Sequence, residues 1–290
     1  MNSLTKKKKR VSDLVLYFFI YLSAGFALAL LIGIIVYVFY KGFRTVNWTF
    51  LTSVTSALKG TVGIAGNIVN TLYIIVLTLL IATPIGVGSA IYLNEYAKPG
   101  RLVSAIEFTT ETLSGIPSII FGLFGMMFFG NTLGLKTSIL TGAFTLTIMV
   151  LPLITRNTQE ALKTVPDSYR SGALGMGATK WYMIRTVLLP SAMPGILTGI
   201  ILAIGRIVGE SAALLFTAGS GRGLPKAGLE GLFRKFTESS GTLTIELYLQ
   251  MQNGKYETAF GIACVLLIIV LFINFLAKFI AGKFDVQRVK

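Results

Sequence analysis

Long uncharged apolar stretches constrain this chain more than any other feature of its sequence. No charged residue occurs between Lys59 and Glu95, from Thr112 to Leu135, or from Thr137 to Thr155. A helix needs ~20 mainly apolar residues to cross a bilayer. Only 13% of the 290 residues are charged, whereas soluble domains carry about a quarter. These features exclude a soluble globular domain and indicate a membrane protein.

Six apolar segments are long enough to cross a membrane as helices. The third contains Gly115, Pro117, Gly122 and Gly125, and such helix breakers survive where neighbouring helices satisfy the freed backbone groups. The predicted fold class is therefore all-α, a polytopic transmembrane helical bundle. The six predicted spans are 14–40, 66–93, 113–130, 138–155, 191–217 and 258–279.

The distribution of Lys and Arg predicts the orientation of the bundle, because cytoplasmic segments carry an excess of both. With both termini inside, sixteen Lys and Arg residues lie in inner segments and nine in outer ones. The cluster Lys6–Arg10 precedes an apolar run far longer than the ~7–15 residues of a signal-peptide core. We therefore expect a retained first span with a basic cytoplasmic anchor, in an N-in, C-in arrangement. A nucleic-acid-binding arm is the alternative for the cluster and for the net charge of +14.

Several classes of chemistry are excluded by residues that the chain lacks. Histidine is absent, and Cys264 is the single cysteine, so no disulfide can form within the chain and most metal sites are excluded. Gly172 and Gly177 have the separation of a phosphate-binding loop, but Ala178 follows where such a loop needs lysine. We therefore expect no enzyme activity, no cofactor and no metal on this chain.

The predicted cytoplasmic loop, residues 156–190, has the signals of two short helices. Pro166 followed by Asp167 favours a turn that starts a helix, and Gly175 and Gly177 favour its end. Thr179 is placed to cap a second helix from Lys180 to Leu189, after which Pro190 and Pro194 open the fifth span. A helical pair of this kind predicts a partner's docking site; a plain connector is the alternative. Its apolar residues available to a partner are Leu174, Met176, Trp181 and Tyr182.

Two charged residues lie within the predicted fifth span. Arg206 and Glu210 are four residues apart, so a continuous helix presents both on one face. Ionised groups in a span are costly and commonly mark a substrate path. We predict an anion path formed by Arg206, Glu210 and the adjacent Ser211, with an ion pair that fixes helix packing as the alternative. In the outer segment, residues 219–256, Arg222, Lys226 and Arg234 either receive the anion or form a solvated face.

The cytoplasmic loop resembles that of the ABC-importer permeases, whose pattern is Glu-Ala-Ala, three residues, Gly, nine residues, Ile, any residue, Leu-Pro. Here Ser171, Gly172 and Ala173 stand at the start of the pattern and Gly177 at its glycine. The chain departs from the pattern at its first two positions. The resemblance implies that the loop contacts an ATPase through Ser171, Gly172, Ala173, Gly177, Val187, Leu189 and Pro190.

The resemblance extends over most of the chain from about residue 66 to 280. The strings at residues 70–97, 113–123 and 206–217 are similar to the A-type permease subunits of phosphate-specific importers. This resemblance implies a type I ABC-importer permease fold in a prokaryotic plasma (inner) membrane. It also implies two ATPase subunits that bind ATP and magnesium, a homologous C-type permease subunit, and an extracytoplasmic phosphate-binding protein. Only the resemblance indicates phosphate; sulfate, molybdate and phosphonate remain open.

We divide the chain into four parts and keep two rival functions open. A secondary anion transporter works alone on an ion gradient and can contain broken helices paired in two repeats, and the sequence gives no sign of such a pairing. A non-transporting membrane scaffold would tolerate loss of Arg206. The predicted parts are a basic N-terminus (1–13), a first span with its outer loop (14–64), a permease domain (66–280) that includes the cytoplasmic loop, and a cytoplasmic tail (281–290).

Overall fold

The computed structural model describes residues 11–56 and 61–283, which form a bundle made mostly of helices. The basic cluster Lys6–Arg10 and residues 284–290 of the predicted tail lie outside the described residues. A short antiparallel hairpin pairs β1 (Val54–Ser56) with β2 (Thr61–Ile64). The helices are α1 (Val11–Gly42), α2 (Trp48–Thr52), α3 (Ala65–Ile91), α4 (Arg101–Gly115), α5 (Ser118–Gly125), α6 (Ile139–Lys163), α7 (Asp167–Gly175), α8 (Lys180–Met183), α9 (Leu189–Gly209), α10 (Ala212–Thr217), α11 (Leu229–Arg234), α12 (Leu243–Gln252) and α13 (Tyr256–Lys283).

Three of the helices are extended by wider, π-helical turns. These turns cover Tyr92–Tyr96 after α3, Met126–Thr132 after α5, and Ile184–Leu188 between α8 and α9. Within residues 11–56 and 61–283, five helical segments are long and apolar enough to cross a membrane, and a bent pair makes a sixth if its two halves count as one span. The five segments are Asp13–Gly42, Ala65–Tyr96, Ile139–Lys163, Lys180–Gly209 and Tyr256–Phe279.

The bent pair corrects the predicted third span. A single helix over residues 113–130 is wrong, because α4 ends at Gly115 and the helix that starts at Ser118 is turned by 104°. Pro117 has no backbone N–H and disfavours the helical conformation of the residue before it. Ile116 accordingly has extended angles, φ −73° and ψ 130°.

The predicted fifth span, residues 191–217, is wrong at both ends. Its helix begins at Lys180 and continues through the π turn into α9, so Pro190 and Pro194 lie inside a continuous helix. The wider turn ends just before Pro190, where the missing N–H would interrupt a regular helix. At the other end α9 stops at Gly209, and α10 is a separate short helix.

Helix α6 is the centre of the packing. It contacts α3 and α9 along much of its length and α5 near its start, and its Leu146, Val150 and Ile154 are fully buried. Glycines allow the close approach of its neighbours. A Cβ atom added at Gly86 of α3 would lie 2.8 Å from Ile154 Cγ2, and one added at Gly199 of α9 would lie 2.7 Å from Asn157 Cβ.

The outer segment between α10 and α12 is held against the start of α3 by side-chain amides. Asn67 Nδ2 donates to the Gly241 carbonyl at 2.9 Å, and Asn70 Nδ2 donates to the Gly241 and Gly221 carbonyls, both at 3.1 Å. These bonds satisfy carbonyl groups of Gly221 and Gly241, which lie outside the short helix α11 of this segment. The outer segment is therefore fixed to the bundle.

A buried lysine links two parts of the same segment by a hydrogen bond. Lys235 Nζ donates to the Gly223 carbonyl at 2.7 Å, and its side chain is almost fully buried. Burial lowers the pKa of Lys235 from its ordinary value, and the nearby Glu238 carboxylate opposes that shift only in part. The ammonium group thus acts as a hydrogen-bond donor inside the fold.

Two glycines on α3 test the packing against α6. Gly86→Ala should lower the free energy of unfolding by about 1–3 kcal/mol, because overpacking a well-packed contact costs that much. Gly88→Ala is the matched control, since a Cβ there meets no described atom within 4 Å and alanine favours a helix over glycine by up to about 1 kcal/mol. Thermal unfolding in detergent should show a lower Tm for the first variant only; equal values would contradict the packing.

Candidate functional site

The first loop helix, α7, begins and ends at the predicted positions. Pro166 is extended (φ −57°, ψ 141°) and Asp167 starts the helix, where an acidic residue favours the N-terminal dipole. The helix ends at Gly175, and Gly177 has φ +84°. Gly177 N donates to the Leu174 carbonyl at 3.0 Å and Ala178 N to the Ala173 carbonyl at 3.1 Å. This is the Schellman arrangement, which requires a residue in the left-handed region.

The second loop helix is also capped as predicted, but it does not end at Leu189. The Thr179 hydroxyl accepts a hydrogen bond from Tyr182 N at 3.3 Å, and the helix then runs without interruption to Gly209. The predicted cytoplasmic loop also begins inside α6, which extends to Lys163. Val187, Leu189 and Pro190 therefore lie half-buried on a helix that leads directly into the bundle.

The loop has a buried face and an exposed face. Ala173, Met183, Ile184 and Leu188 pack against Leu162 and its neighbours in a small apolar core. On the other face Met176 is 85% exposed and Trp181 is 59% exposed. Large apolar side chains left uncovered together indicate an interaction surface. Leu174, Tyr169 and Tyr182 are also exposed.

The two residues that depart from the family pattern lie on the exposed side of α7. Ser171 Oγ donates to the Asp167 carbonyl at 3.1 Å, so its hydroxyl bonds within its own helix. A Cβ added at Gly172 would meet no described atom within 4 Å. The fold of the loop therefore accommodates the pattern's Glu-Ala at these positions as readily as Ser-Gly.

Arg206 and Glu210 do not share a helix face. Glu210 follows the last residue of α9 in an extended conformation (φ −80°, ψ 124°). Its Oε1 accepts a hydrogen bond from Ala213 N at 3.0 Å, and its carbonyl accepts one from Thr244 Oγ1 at 2.9 Å. The carboxylate thus caps α10, and the predicted placement of the two charges on one helix face is wrong.

Arg206 is half-buried in the last turn of α9 and has no hydrogen-bond or ion-pair partner among residues 11–56 and 61–283. The contacts of Gly195 with Ala161 and of Gly199 with Asn157 make α9 antiparallel to α6. Seven residues beyond Gly199, at ~1.5 Å per residue, Arg206 lies about 10 Å further along, level with the middle of α6. An unpaired guanidinium at this depth can hold an anion through charge-assisted hydrogen bonds.

One face of α9 beside Arg206 is uncovered. Thr198, Leu202, Gly205 and Gly209 are all exposed and recur at intervals of three and four residues, so they form one stripe along the helix. A Cβ added at Gly205 or Gly209 would meet no described atom within 4 Å. Ser211 lies half-buried at the break between α9 and α10, next to the end of this stripe.

Two broken helices pack against each other, which the sequence did not reveal. Helix α5 follows the break at Ile116 and Pro117, and α10 follows the break at Glu210 and Ser211. Gly122 of α5 lies so close to Ala213 of α10 that a Cβ added at Gly122 would be 2.8 Å from Ala213 Cα. Nothing in the sequence indicated this contact between the two broken helices.

Sequence reasoning also missed a contact between the loop and the end of α3. Arg170 Nη2 lies 3.0 Å from Glu95 Oε1, although the two residues are 75 positions apart. The one available signal was that Glu95 is the first charge after a long uncharged stretch. The described residues contain no group of three or more His, Cys, Asp or Glu side chains that could hold a metal ion.

Comparisons with known proteins agree with this architecture. A family model described as "Binding-protein-dependent transport system inner membrane component" matches residues 82–286. A "Probable ABC transporter permease protein YqgI" of Bacillus subtilis is 40% identical over 198 residues, which are 68% of this chain and 67% of that protein. A "Phosphate transport system permease protein PstA" of Mycobacterium leprae is 31% identical over 279 residues, 92% of this chain and 88% of that protein.

A solved structure gives the fold. A bacterial alginate ABC transporter in complex with an alginate pentasaccharide-bound periplasmic protein matches with a TM-score of 0.68 and 16% sequence identity. The match covers 95% of this chain and 96% of the other. The architecture is that of a type I ABC-importer permease, as the sequence predicted.

Gly177 and Gly175 test the turn between the loop helices. Gly177→Ala should destabilise the loop locally by roughly 1–2 kcal/mol, because a side chain is unfavourable in the left-handed region. Gly175→Ala should leave it unchanged or more stable, since Gly175 is helical and a Cβ there meets no described atom. Amide hydrogen exchange over residues 167–183 measures the difference, and faster exchange in both variants would contradict the assignment.

Proposed function

Because this chain belongs to the binding-protein-dependent transport system inner membrane component family, we propose that it is the A-type permease subunit of an ATP-driven importer of inorganic phosphate. The observation that carries the proposal is the pair of loop helices, α7 and α8, which expose Met176 and Trp181 and continue into the helix that bears Arg206. A partner that moves the loop therefore acts directly on that helix. The relatives named for phosphate transport supply the substrate.

The proposed arrangement follows the division made from the sequence. Residues 66–280 form the permease domain in a prokaryotic plasma membrane, with both termini in the cytoplasm. Two ATPase subunits bind ATP and magnesium and contact the cytoplasmic loop, so the assembled complex hydrolyses ATP while this chain does not. The contact residues are Ser171, Gly172, Ala173, Gly177, Val187, Leu189 and Pro190, together with the exposed apolar side chains beside them.

A homologous C-type permease subunit packs along the uncovered stripe of α9 in this proposal. The small side chains at Gly205 and Gly209 leave room for a phosphate ion between the two subunits. Arg206 attracts the ion, and its single charge binds weakly enough to release it, as a conduit requires. Glu210 and Ser211 shape the path at the helix break. An extracytoplasmic phosphate-binding protein delivers the ion to the outer segment, where Arg222, Lys226 and Arg234 lie.

Substitutions on the exposed loop face test the ATPase contact. Met176→Asp and Trp181→Asp should each reduce co-purification of the ATPase subunits by about tenfold or more, because central apolar anchors carry most of an interface's binding energy. Phe233→Asp is the matched control, since Phe233 is an aromatic residue of the outer segment that is 66% exposed, between the values for Trp181 and Met176. Co-purification unaffected by either loop variant would contradict the proposal.

Arg206 tests the transport path. Arg206→Ala should reduce phosphate uptake into proteoliposomes by at least about thirtyfold, because a charge-assisted hydrogen bond to an anion is worth roughly 2 kcal/mol or more. The assembled complex should still form. Arg156→Ala is the control, because the Arg156 side chain is 63% exposed and forms only exposed ion pairs, with Glu111 at 3.8 Å and Glu160 at 3.6 Å. Normal uptake by the Arg206→Ala complex would assign Arg206 to helix packing alone.

Uptake by the same proteoliposomes distinguishes two alternatives, which are a secondary anion transporter and an importer of another oxyanion. The packed pair of broken helices, α5 and α10, is an arrangement also found in secondary transporters, and such a transporter would take up the anion without ATP or an ATPase. A single arginine does not distinguish one oxyanion from another. Competition by sulfate, molybdate or phosphonate in the uptake assay therefore identifies the substrate.

A further inference from the structure

We propose that Glu95, at the end of α3, is a positioning residue that joins the cytoplasmic loop to α3, so that movement of the loop is passed to the bundle by a second route besides α9. The inference rests on the proposed transport function. It concerns a residue for which that function gives no role.

Arg170 is the residue of the cytoplasmic loop that contacts Glu95. Its Nε and Nη2 atoms lie 3.3 Å and 3.0 Å from Glu95 Oε1, and Asn94 Nδ2 donates to the same oxygen at 2.7 Å. The guanidinium also donates to the Leu162 and Val165 carbonyls, both at 2.9 Å, and Nη1 donates to Asp167 Oδ1 at 3.0 Å within α7, where the Asp167 side chain is 96% exposed. One side chain of α7 thereby binds the end of α3 and the turn that leaves α6.

The pair is buried, which distinguishes it from the other ion pairs on this side of the molecule. The Glu95 side chain is 5% exposed and that of Arg170 is 19% exposed. By contrast, Arg156 and Glu111 are 3.8 Å apart, with side chains 63% and 76% exposed. Removing Arg170 would leave the buried Glu95 carboxylate without an ion-pair partner, and removing Glu95 would leave Arg170 paired only with the exposed Asp167, whereas exposed pairs contribute little. Loss of the Glu95 carboxylate is therefore expected to affect the loop more than loss of the Glu111 carboxylate.

The second loop helix, α8, also contacts the π-helical turn that contains Glu95. Lys180 Nζ donates to the Glu95 carbonyl, and the ammonium lies 4.9 Å from the centre of the Tyr96 ring. Lys180 is the first residue of α8, and Arg170 belongs to α7. Both loop helices are thus attached to one short π-helical turn, Tyr92–Tyr96.

The mechanical consequence follows from the connections of the loop. Covalently, it joins α6 to the helix that becomes α9. Glu95 adds α3, the helix that packs most extensively on α6 and carries Gly86 in close contact with Ile154. Without the carboxylate, the loop keeps its covalent links to α6 and α9 and the Lys180 hydrogen bond to the backbone carbonyl of residue 95, but it can move more easily relative to α3. We therefore expect loss of Glu95 to uncouple ATP hydrolysis from uptake rather than to abolish ATPase binding.

The test uses the full complex in proteoliposomes, with phosphate uptake and ATP hydrolysis measured on the same preparation. Glu95→Gln should retain ATPase co-purification within about twofold. The phosphate imported per ATP hydrolysed should fall by about tenfold or more, as expected for a buried charge pair that loses one partner. Glu111→Gln is the matched control and should leave the ratio unchanged, because its ion pair is exposed.

A double variant separates a specific contact from general damage. Arg170→Gln should lower the ratio at least as far as Glu95→Gln, and combining the two should lower it no further, since groups in one contact are not additive. If Glu95→Gln does not assemble, Glu95→Asp carries the test, because it keeps the carboxylate on a shorter side chain. It should give a ratio between those of the wild type and Arg170→Gln.

Three results would overturn the inference. They are an unchanged ratio in Glu95→Gln, or in Glu95→Asp where that variant carries the test; additive losses in the double variant; and a loss of uptake fully explained by lost ATPase co-purification. The last would give Glu95 a role in the loop's fold alone. Failure of the wild-type chain to bind any ATPase is a different outcome, because it would overturn the proposed function and this inference with it.

Discussion

Backbone N–H and C=O groups within a bilayer have to bond inside the protein, because hydrocarbon offers no partners. This chain meets that constraint while breaking two of its helices, one at Ile116 and Pro117 and the other at Glu210 and Ser211. At the second break, side chains replace the lost helical bonds: Glu210 accepts from Ala213 N, and Thr244 donates to the Glu210 carbonyl. The break therefore depends on α12, which supplies Thr244 from the outer segment. The outer segment in turn depends on Asn67 and Asn70 of α3.

Close packing against α6 holds the other helices of the bundle in place. Glycines on three neighbouring helices contact it closely enough that added methyl groups would clash. Helices in such contact shift as units, since packed interiors resist gradual deformation. The loop is attached to this assembly at the ends of α6, α9 and, through Glu95, α3. Arg206 lies on one of those three helices, level with the middle of another.

Features that depend on local sequence could be predicted. Four of the six spans follow from apolar length, and the ends of the loop helices follow from the chemistry of Pro166, Gly177 and Thr179. Features that depend on distant partners could not. Glu210 leaves the helix where its carbonyl meets Thr244, 34 positions away, and Glu95 meets Arg170 across 75 positions. The sequence predicted two helices where the structure has one from Lys180 to Gly209, because a proline such as Pro190 commonly stands at a helix start. The π turn just before Pro190 lets the helix continue past this residue.

That π turn, Ile184–Leu188, also changes how the two ends of its helix are related in rotation. In a regular α-helix, successive residues are rotated by about 100°, so Trp181 and Arg206 would lie on nearly the same side. A π turn accommodates roughly one extra residue, which offsets the faces before and after it by about a quarter turn. The loop's exposed face and the arginine therefore point in different directions around one axis. A pull on the loop that turns this helix would swing Arg206 sideways as well as move it along the path.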